Sequence, residues 1–339
     1  MDLLGKNIVE LSAELVKFDF PRYVGSQVFD WIYNKGVSDF DQMSNISKNN
    51  RTALKQNFSI YNVNYIDKMV SSDGTIKFLF PTDDYFIETA YIPDGDRATL
   101  CVSTQAGCKM NCKFCATGKQ GFQKNLSSAE IINQFRVVAA EYPITNIVFM
   151  GMGEPFDNST EVLKSADIFS NEKAYNISNK KITVSTVGII PEMKHFLLNT
   201  RYNLAVSMHS PFDDERSVLM PIQKKYPISD VVETIIRYND YKNRNISFEY
   251  IVFGKLNDTD SHVKEIARLL NKLSCKINLI RFHQTPDTDL PATDENRLIE
   301  FQNKLKQKGF VTTIRTSRGT DINAACGLLS TKTLLKEYS

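Results

Sequence analysis

From Ala98 onward the chain alternates between short β-favouring runs and longer runs with helical spacing, and this limits the fold more than any other feature. The strand-like runs are ATLCVST, NIVFMG, KITVST, YNLAVSM, ISFEYIVF and KINLIRF. Helix-like runs separate and follow them: SSAEIINQFRVVAAEY, STEVLKSADIFSN, PISDVVETIIRYNDYKN, DSHVKEIARLLNKL and DENRLIEFQNKLKQKG. Several open on a capping pattern, such as Ser127 with Glu130 three residues on. Strand alternating with helix makes a parallel sheet with right-handed crossovers. Six such strands exceed a mononucleotide-binding half-fold and fall short of the eight of a closed barrel. The expected fold is α/β, a partial (β/α)6 TIM-like barrel; an open, doubly wound sheet is the competing topology.

The residues before Ala98 follow other periods. PRYVGSQVFDWIYNKG brings Val24, Val28, Trp31 and Ile32 onto one helical face, with Pro21 and Gly36 at ends that tolerate them. SNISKNNRTALKQNF reads as a further short helix. TIKFLF and YFIETAYIP are aromatic-rich, and the turn signal SSDG precedes them, so a few antiparallel strands are expected. The expected division is a helical part over 1–60, a β connector over 61–97, the barrel over 98–322 and a C-terminal segment over 323–339.

Composition narrows the class. With 42% hydrophobic and 24% charged residues, the 339-residue chain has apolar side chain enough for one large domain and a smaller one. A net charge of +2 gives no global nucleic-acid signature, so a polyanion would have to meet a local patch. No run approaches the roughly 18 apolar residues needed to span a bilayer. The opening MDLLGKNIVELSAELV lacks the apolar core of a signal peptide. Six cysteines in a chain this long do not suggest a secreted disulfide scaffold. The expectation is a soluble cytoplasmic protein with no membrane partner.

Three of those cysteines, Cys108, Cys112 and Cys115, fall within CKMNCKFCATGKQGF. A structural zinc site closes with four ligands, and a cubane iron–sulfur cluster normally takes four thiolates. Three thiols leave one iron of such a cluster open to an exogenous ligand. The amino and carboxylate groups of S-adenosylmethionine could chelate that iron, and radical chemistry is among the hard steps cofactors supply. Zinc with a distant histidine is the rival, although only His195, His209, His262 and His283 exist and none is near in sequence. Three buried structural cysteines fit poorly with the intervening Lys109, Asn111 and Lys113. In barrels of this kind the chemistry sits on loops after the strands. There the sequence places the cysteine loop, GMGEP, STVG and SMHS.

In order, these words resemble the RlmN/Cfr family of radical S-adenosylmethionine RNA adenine methyltransferases. The likeness is carried by C-x3-C-x2-C after the first barrel strand, then FMGMGEP, LMPIQKKYP, FEYIVF and DINAACG, and CATGKQGF is similar to the RlmN branch. It covers essentially the whole chain. The resemblance implies one 4Fe–4S cluster on Cys108, Cys112 and Cys115. It implies S-adenosylmethionine, two molecules per turnover, at Gly153, Glu154, Ser185, Ser207, Met208 and His209. His283 stands where the family often has an Asn in a PYNP or PWNP segment; a ring nitrogen can still hydrogen-bond there. Cys326 of DINAACG matches the methyl-carrying cysteine, Cys101 the cysteine that resolves the intermediate, and Glu88 the proton acceptor. On their residues alone, Cys101 and Cys326 read as small buried hydrophobes, Glu88 as a solvated charge and Cys275 as structural.

The implied activity is methylation at carbon 2 of an adenine at the peptidyl-transferase centre of 23S rRNA and of one beside the anticodon of tRNA. It runs through S-methylcysteine, a transient protein–RNA adduct and a transient disulfide. Carbon 2 is an electron-poor aromatic C–H, which explains why plain methyl transfer would not suffice. Carbon 8 methylation as in the Cfr branch, a different radical S-adenosylmethionine enzyme, and a zinc-stabilised RNA-binding module are the alternatives. The implied partners are 23S rRNA, tRNA and an electron donor such as flavodoxin or ferredoxin, with the enzyme a monomer. Between Thr104 and Asn125 lie Lys109, Lys113, Lys119 and Lys124 without an acid, and Lys308, Arg315 and Arg318 crowd near Cys326 in sequence. All are candidate phosphate contacts. Residues 1–60 balance seven bases against seven acids, so RNA contact there rests on the resemblance.

Overall fold

The structure, a computed structural model, describes residues 1–239, 244–283, 288–325 and 327–331. A ten-stranded sheet organises it. Strands β1 (Asp67–Val70), β2 (Ile76–Thr82), β3 (Tyr85–Asp94) and β4 (Arg97–Cys101) are antiparallel neighbours. A separate ladder of β5 (Gln105–Ala106) and β6 (Lys124–Asn125) closes the base of the cysteine loop. From β4 the large sheet turns parallel through β7 (Asn146–Phe149), β8 (Ile182–Thr186), β9 (Asn203–Ser207), β10 (Ile246–Val252), β11 (Lys276–Arg281) and β12 (Val311–Ile314).

Strand order separates the two expected topologies. A doubly wound sheet reverses its order at a switch point. Here each parallel strand lies beside its predecessor from β4 to β12, the progression of a barrel. Among the described residues β1 and β12 each pair on one side only, so the barrel stays open. The strand β12 extends the six read in the sequence; VTTI carries an exposed–buried–exposed pattern rather than an apolar run.

Helices α1 (Ile8–Val16), α2 (Arg22–Phe29) and α3 (Lys48–Asn57) precede the sheet. Helix α4 (Ala116–Gln120) follows the cysteine loop. The crossovers are α5 (Ser128–Ala139), α6 (Ser159–Ser170), α7 (Ile190–Asn199), α8 (Asp213–Leu219), α9 (Ile228–Tyr238), α10 (Asp260–Leu270) and α11 (Glu295–Gln307). The Ser127–Glu130 capping box forms at α5 as expected. Helix α7 escapes a first reading because Pro191 lies in its opening turn, where the missing N–H costs nothing.

One hydrophobic core runs from Leu3 to Leu329 and takes in Leu11, Leu15, Val24 and Val28 of the N-terminal helices. Gly5, at φ +80°, lets the chain touch the start of α5: a Cβ there would sit 2.5 Å from the Ala129 nitrogen. Val24, Val28 and Ile32 are buried as expected, but Trp31 is only half-buried. A π-turn over Asp30–Asn34 shifts the helical phase, and the indole N–H of Trp31 donates to Asn45 Oδ1 at 2.6 Å. Among the described residues no helix is long and apolar enough to cross a membrane.

Candidate active site

One cavity gathers the loops at the C-terminal ends of the parallel strands. Cys108, Cys112 and Cys115 after β4, Gly153 and Glu154 after β7, Ser185 of β8, Ser207 of β9 and the following His209 all line it. It holds about 890 Å³ of atom-free space, part of it open to solvent. Gly153 is required where it stands: its φ is +101°, and a Cβ would meet Gln105 Cβ at 2.6 Å. Glu154, buried at the cavity wall, accepts the N–H groups of Phe156 (3.1 Å) and Val187 (3.0 Å), while its own N–H donates to Gln105 Oε1 (2.9 Å). Burial pushes its carboxyl up to about 7, against the Thr186 hydroxyl and these amides.

His209 sits at φ +57°, a strained position for a non-glycine residue. Its Nδ1 accepts the Ile251 N–H at 3.0 Å, leaving Nε2 as the N–H, and the Asn257 amide donates to its carbonyl at 2.7 Å. Burial, reinforced by the Arg216 charge, drives the ring down to about 3, so it is neutral. Arg216, itself fully buried, donates to the carbonyls of Met208, Val187 and Ser207 and to Gln223 Oε1, knitting the ends of β8 and β9 together. Cys112 lies in a small apolar cluster with Val187, Leu219, Met220 and Phe253. Burial raises its thiol well above the ordinary value and the neighbouring Cys115 and Cys108 add to the rise; the Arg216 charge opposes it. Burial likewise pushes Cys108 up to about 12.

A second cavity adjoins the first and shares Met150, Ile280, Arg315 and Leu329 with it. Cys101, His283, Arg97, Arg318, Ala324 and Ala325 are among its lining residues. Cys326 lies outside the described residues; its chain neighbours Ala325 and Gly327 line the second and the first cavity respectively. Glu88 overturns its plain reading as a solvated charge. It is buried, its Oε1 lies 2.8 Å from Lys77 Nζ, and its Oε2 accepts the Ser330 N–H at 2.8 Å.

The resemblance extends through comparison with known proteins. Residues 1–60 match the model for the ribosomal RNA large subunit methyltransferase N-terminal domain, and residues 102–270 that for the radical SAM superfamily. The chain is 46% identical to a protein of Phocaeicola vulgatus named "Probable dual-specificity RNA methyltransferase RlmN", across 99% of this chain and 96% of that one. This chain belongs to the RlmN family. The RlmN of Marinobacter nauticus, a dual-specificity RNA methyltransferase, is 41% identical over 97% of this chain and 92% of its own. The crystal structure of a radical SAM methyltransferase from Sphaerobacter thermophilus superposes with a TM-score of 0.90 at 37% identity, covering 97% of this chain and 99% of that one.

Members of this radical SAM family use a 4Fe–4S cluster and S-adenosylmethionine, and the first cavity fits them in its donor chemistry. All three thiols line the one cavity. Among the described residues no three His, Cys, Asp or Glu side chains already stand together as a metal cage. Sites of this type commonly form together with their metal. Not every expected cofactor residue reaches the cavity. The Met208 side chain is buried in the main core, and its carbonyl is taken by Arg216 and the Ser210 N–H. His283 lines the second cavity instead, bonded through Nε2 to Ser317 Oγ at 2.7 Å; burial, then the Arg281 charge, lowers its ring.

Sequence reasoning missed Glu249, which lines the first cavity, and it read Arg315, which lines both cavities, only as a phosphate contact. Glu249 Oε1 accepts from Asn278 (2.8 Å) and Ser247 (2.9 Å). Its Oε2 lies 3.4 Å from Arg315 Nε, near enough for an ion pair though not aligned as a hydrogen bond. An acid inside the apolar run FEYIVF was the available signal. The basic run of the cysteine loop is partly engaged: Lys109 pairs with Asp157 at 2.8 Å, and Lys124 with Asp83 and Glu130.

Proposed function

We propose that the protein methylates carbon 2 of adenine in 23S rRNA and in tRNA, with Cys326 as the methyl carrier. The adjoining cavities carry this reading: one is lined by the three thiols with Glu154, Ser185, Ser207 and His209, the other by Cys101 and three arginines. When bound, the cluster on Cys108, Cys112 and Cys115 and S-adenosylmethionine against Gly153, Glu154, Ser185, Ser207 and His209 would supply a methyl group, one-electron chemistry able to take a hydrogen atom from it, and an acceptor for the electron that the adenine ring gives up when carbon 2 loses its proton. The Cys326 sulfur holds the carbon as a thioether and delivers it to carbon 2, which joins protein to RNA. Glu88, kept in a buried ion pair by Lys77, takes the proton that carbon 2 loses. The Cys101 thiolate attacks the Cys326 sulfur, the carbon leaves with the bonding electron pair and gains a proton, and a transient disulfide remains.

Residues 1–60 contact RNA as an accessory part, 61–97 connect it to the barrel of 98–322, and 323–339 carry Cys326. Arg97, Arg315 and Arg318 around the second cavity suit an RNA phosphate or base. A flavodoxin or ferredoxin supplies the electrons, and the enzyme works as a cytoplasmic monomer. The test is Cys101→Ala: it should stall as a protein–RNA adduct seen as a ribonuclease-sensitive band, absent in Cys101→Ala/Cys326→Ala. Normal turnover by the single variant would remove the disulfide-release step.

A further inference from the structure

The segment Gly327–Thr331, which follows Cys326, is tethered to the helix that follows Cys115. The Ala116 N–H of α4 donates to the Gly327 carbonyl at 2.8 Å. Thr117 Oγ1 donates to the Leu329 carbonyl at 2.6 Å. The Gln120 amide then grips the end of the segment. Its Oε1 accepts the Thr331 N–H (3.0 Å) and the Ser330 hydroxyl (3.2 Å), and its Nε2 donates to Thr331 Oγ1 (2.8 Å). Gln120 is itself fixed, since Nε2 also donates to Gln123 Oε1 at 2.9 Å and the Gln123 N–H donates to Ala106 of β5 at 2.9 Å. From the other side, Glu88 accepts the adjacent Ser330 N–H.

We infer that Gln120 is a positioning residue: it fixes the C-terminal segment to the cysteine loop, so that the carrier cysteine and the cluster ligands are registered by one short helix. This rests on the role proposed for Cys326. Gln120 touches no reacting atom in that scheme. Both its oxygen and its nitrogen are used, so a side chain that keeps only its length cannot replace it. Hydrogen-atom transfer between a cofactor and a carrier sulfur's methyl group demands placement within a fraction of an ångström, and small misplacements cost large factors in rate.

The test uses Gln120→Met, which keeps length and removes the amide, and Thr331→Val, which removes one hydroxyl at the far side and leaves the cysteine loop untouched. In metal-free protein, hydrogen exchange of the C-terminal peptide should quicken by at least about tenfold in Gln120→Met, which removes three hydrogen bonds to Ser330 and Thr331, with the barrel peptides unchanged. In reconstituted protein, iron content should match the wild type. The ratio of 5′-deoxyadenosine formed to adenosine methylated should rise about tenfold in Gln120→Met and in the same direction in Thr331→Val, because cofactor cleavage continues while transfer fails. A merely structural role would lower both products together and leave the ratio unchanged. A wild-type ratio in both variants, or wild-type exchange of the C-terminal peptide, would overturn the inference. If the wild type itself methylates no adenosine, the proposed function fails instead, while the exchange measurement still decides whether the tether exists.

Discussion

Replacing Lys77 by Met should destabilise the protein far more at neutral pH than in acid. Lys77 and Glu88 stand 2.8 Å apart with side chains 11% and 2% exposed. Removing one partner of a buried pair costs about 3–5 kcal/mol, because the other charge is left uncompensated. Unfolding entropy of about 2.1 cal/mol/K per residue gives roughly 0.7 kcal/mol/K for a chain of 339 residues. The midpoint should therefore fall by about 4–7 °C. Burial already raises the Glu88 carboxyl above 4.5, opposed by Lys77 and the Ser330 N–H. A carboxyl raised on folding binds its proton more tightly in the folded state. Its favourable contribution is complete below the unfolded value and is lost as pH climbs through the folded one. Without Lys77 the folded value rises further, and the window of loss widens upward from about 4.5. Thermal unfolding of metal-free Lys77→Met should thus match the wild type near about pH 4.5 and fall behind progressively toward about pH 8. Lys77→Met/Glu88→Gln should recover most of the loss. An equal deficit at every pH would refute the ion pair as its cause.

Gly153→Ala should lower the unfolding midpoint by the equivalent of about 1–3 kcal/mol and abolish S-adenosylmethionine binding in equilibrium dialysis, through the positive φ and the contact with Gln105. Glu154→Gln should keep wild-type iron content and weaken S-adenosylmethionine by about tenfold or more, because an NH2 would then face the Val187 or Phe156 N–H. Arg216→Met should cost more than about 3 kcal/mol, read as a midpoint fall of at least about 4 °C, since several buried carbonyls lose their donor at once.

The barrel was legible because strand and helix have different periods and because the parallel strands are short apolar runs. Strand β12 and helix α8 escaped because VTTI and DDERSVL carry little apolar pattern; their places are set by neighbours rather than by their own burial. The cysteine loop and GMGEP announced themselves by spacing, and the sheet brings them to one cavity. Met208 and His283 were carried over from a motif without knowledge of side-chain direction: Met208 packs in the main core, while the half-buried Ser207 beside it lines the cavity. Glu88 could be assigned a role but not its surroundings. The Lys77 pair and the Ser330 amide come from β2 and from the far end of the chain, which no local pattern records.

The claim that carries most weight is that this chain places a methyl group on carbon 2 of adenine through Cys326. An unmodified 23S rRNA fragment, incubated anaerobically with reconstituted protein, S-adenosylmethionine and a one-electron reductant, can be digested to nucleosides and read by mass spectrometry against standards. The wild type should yield 2-methyladenosine and Cys326→Ala none. 8-Methyladenosine from the wild type, no methylated adenosine from protein that carries its full iron and sulfide, or undiminished 2-methyladenosine from Cys326→Ala would contradict it.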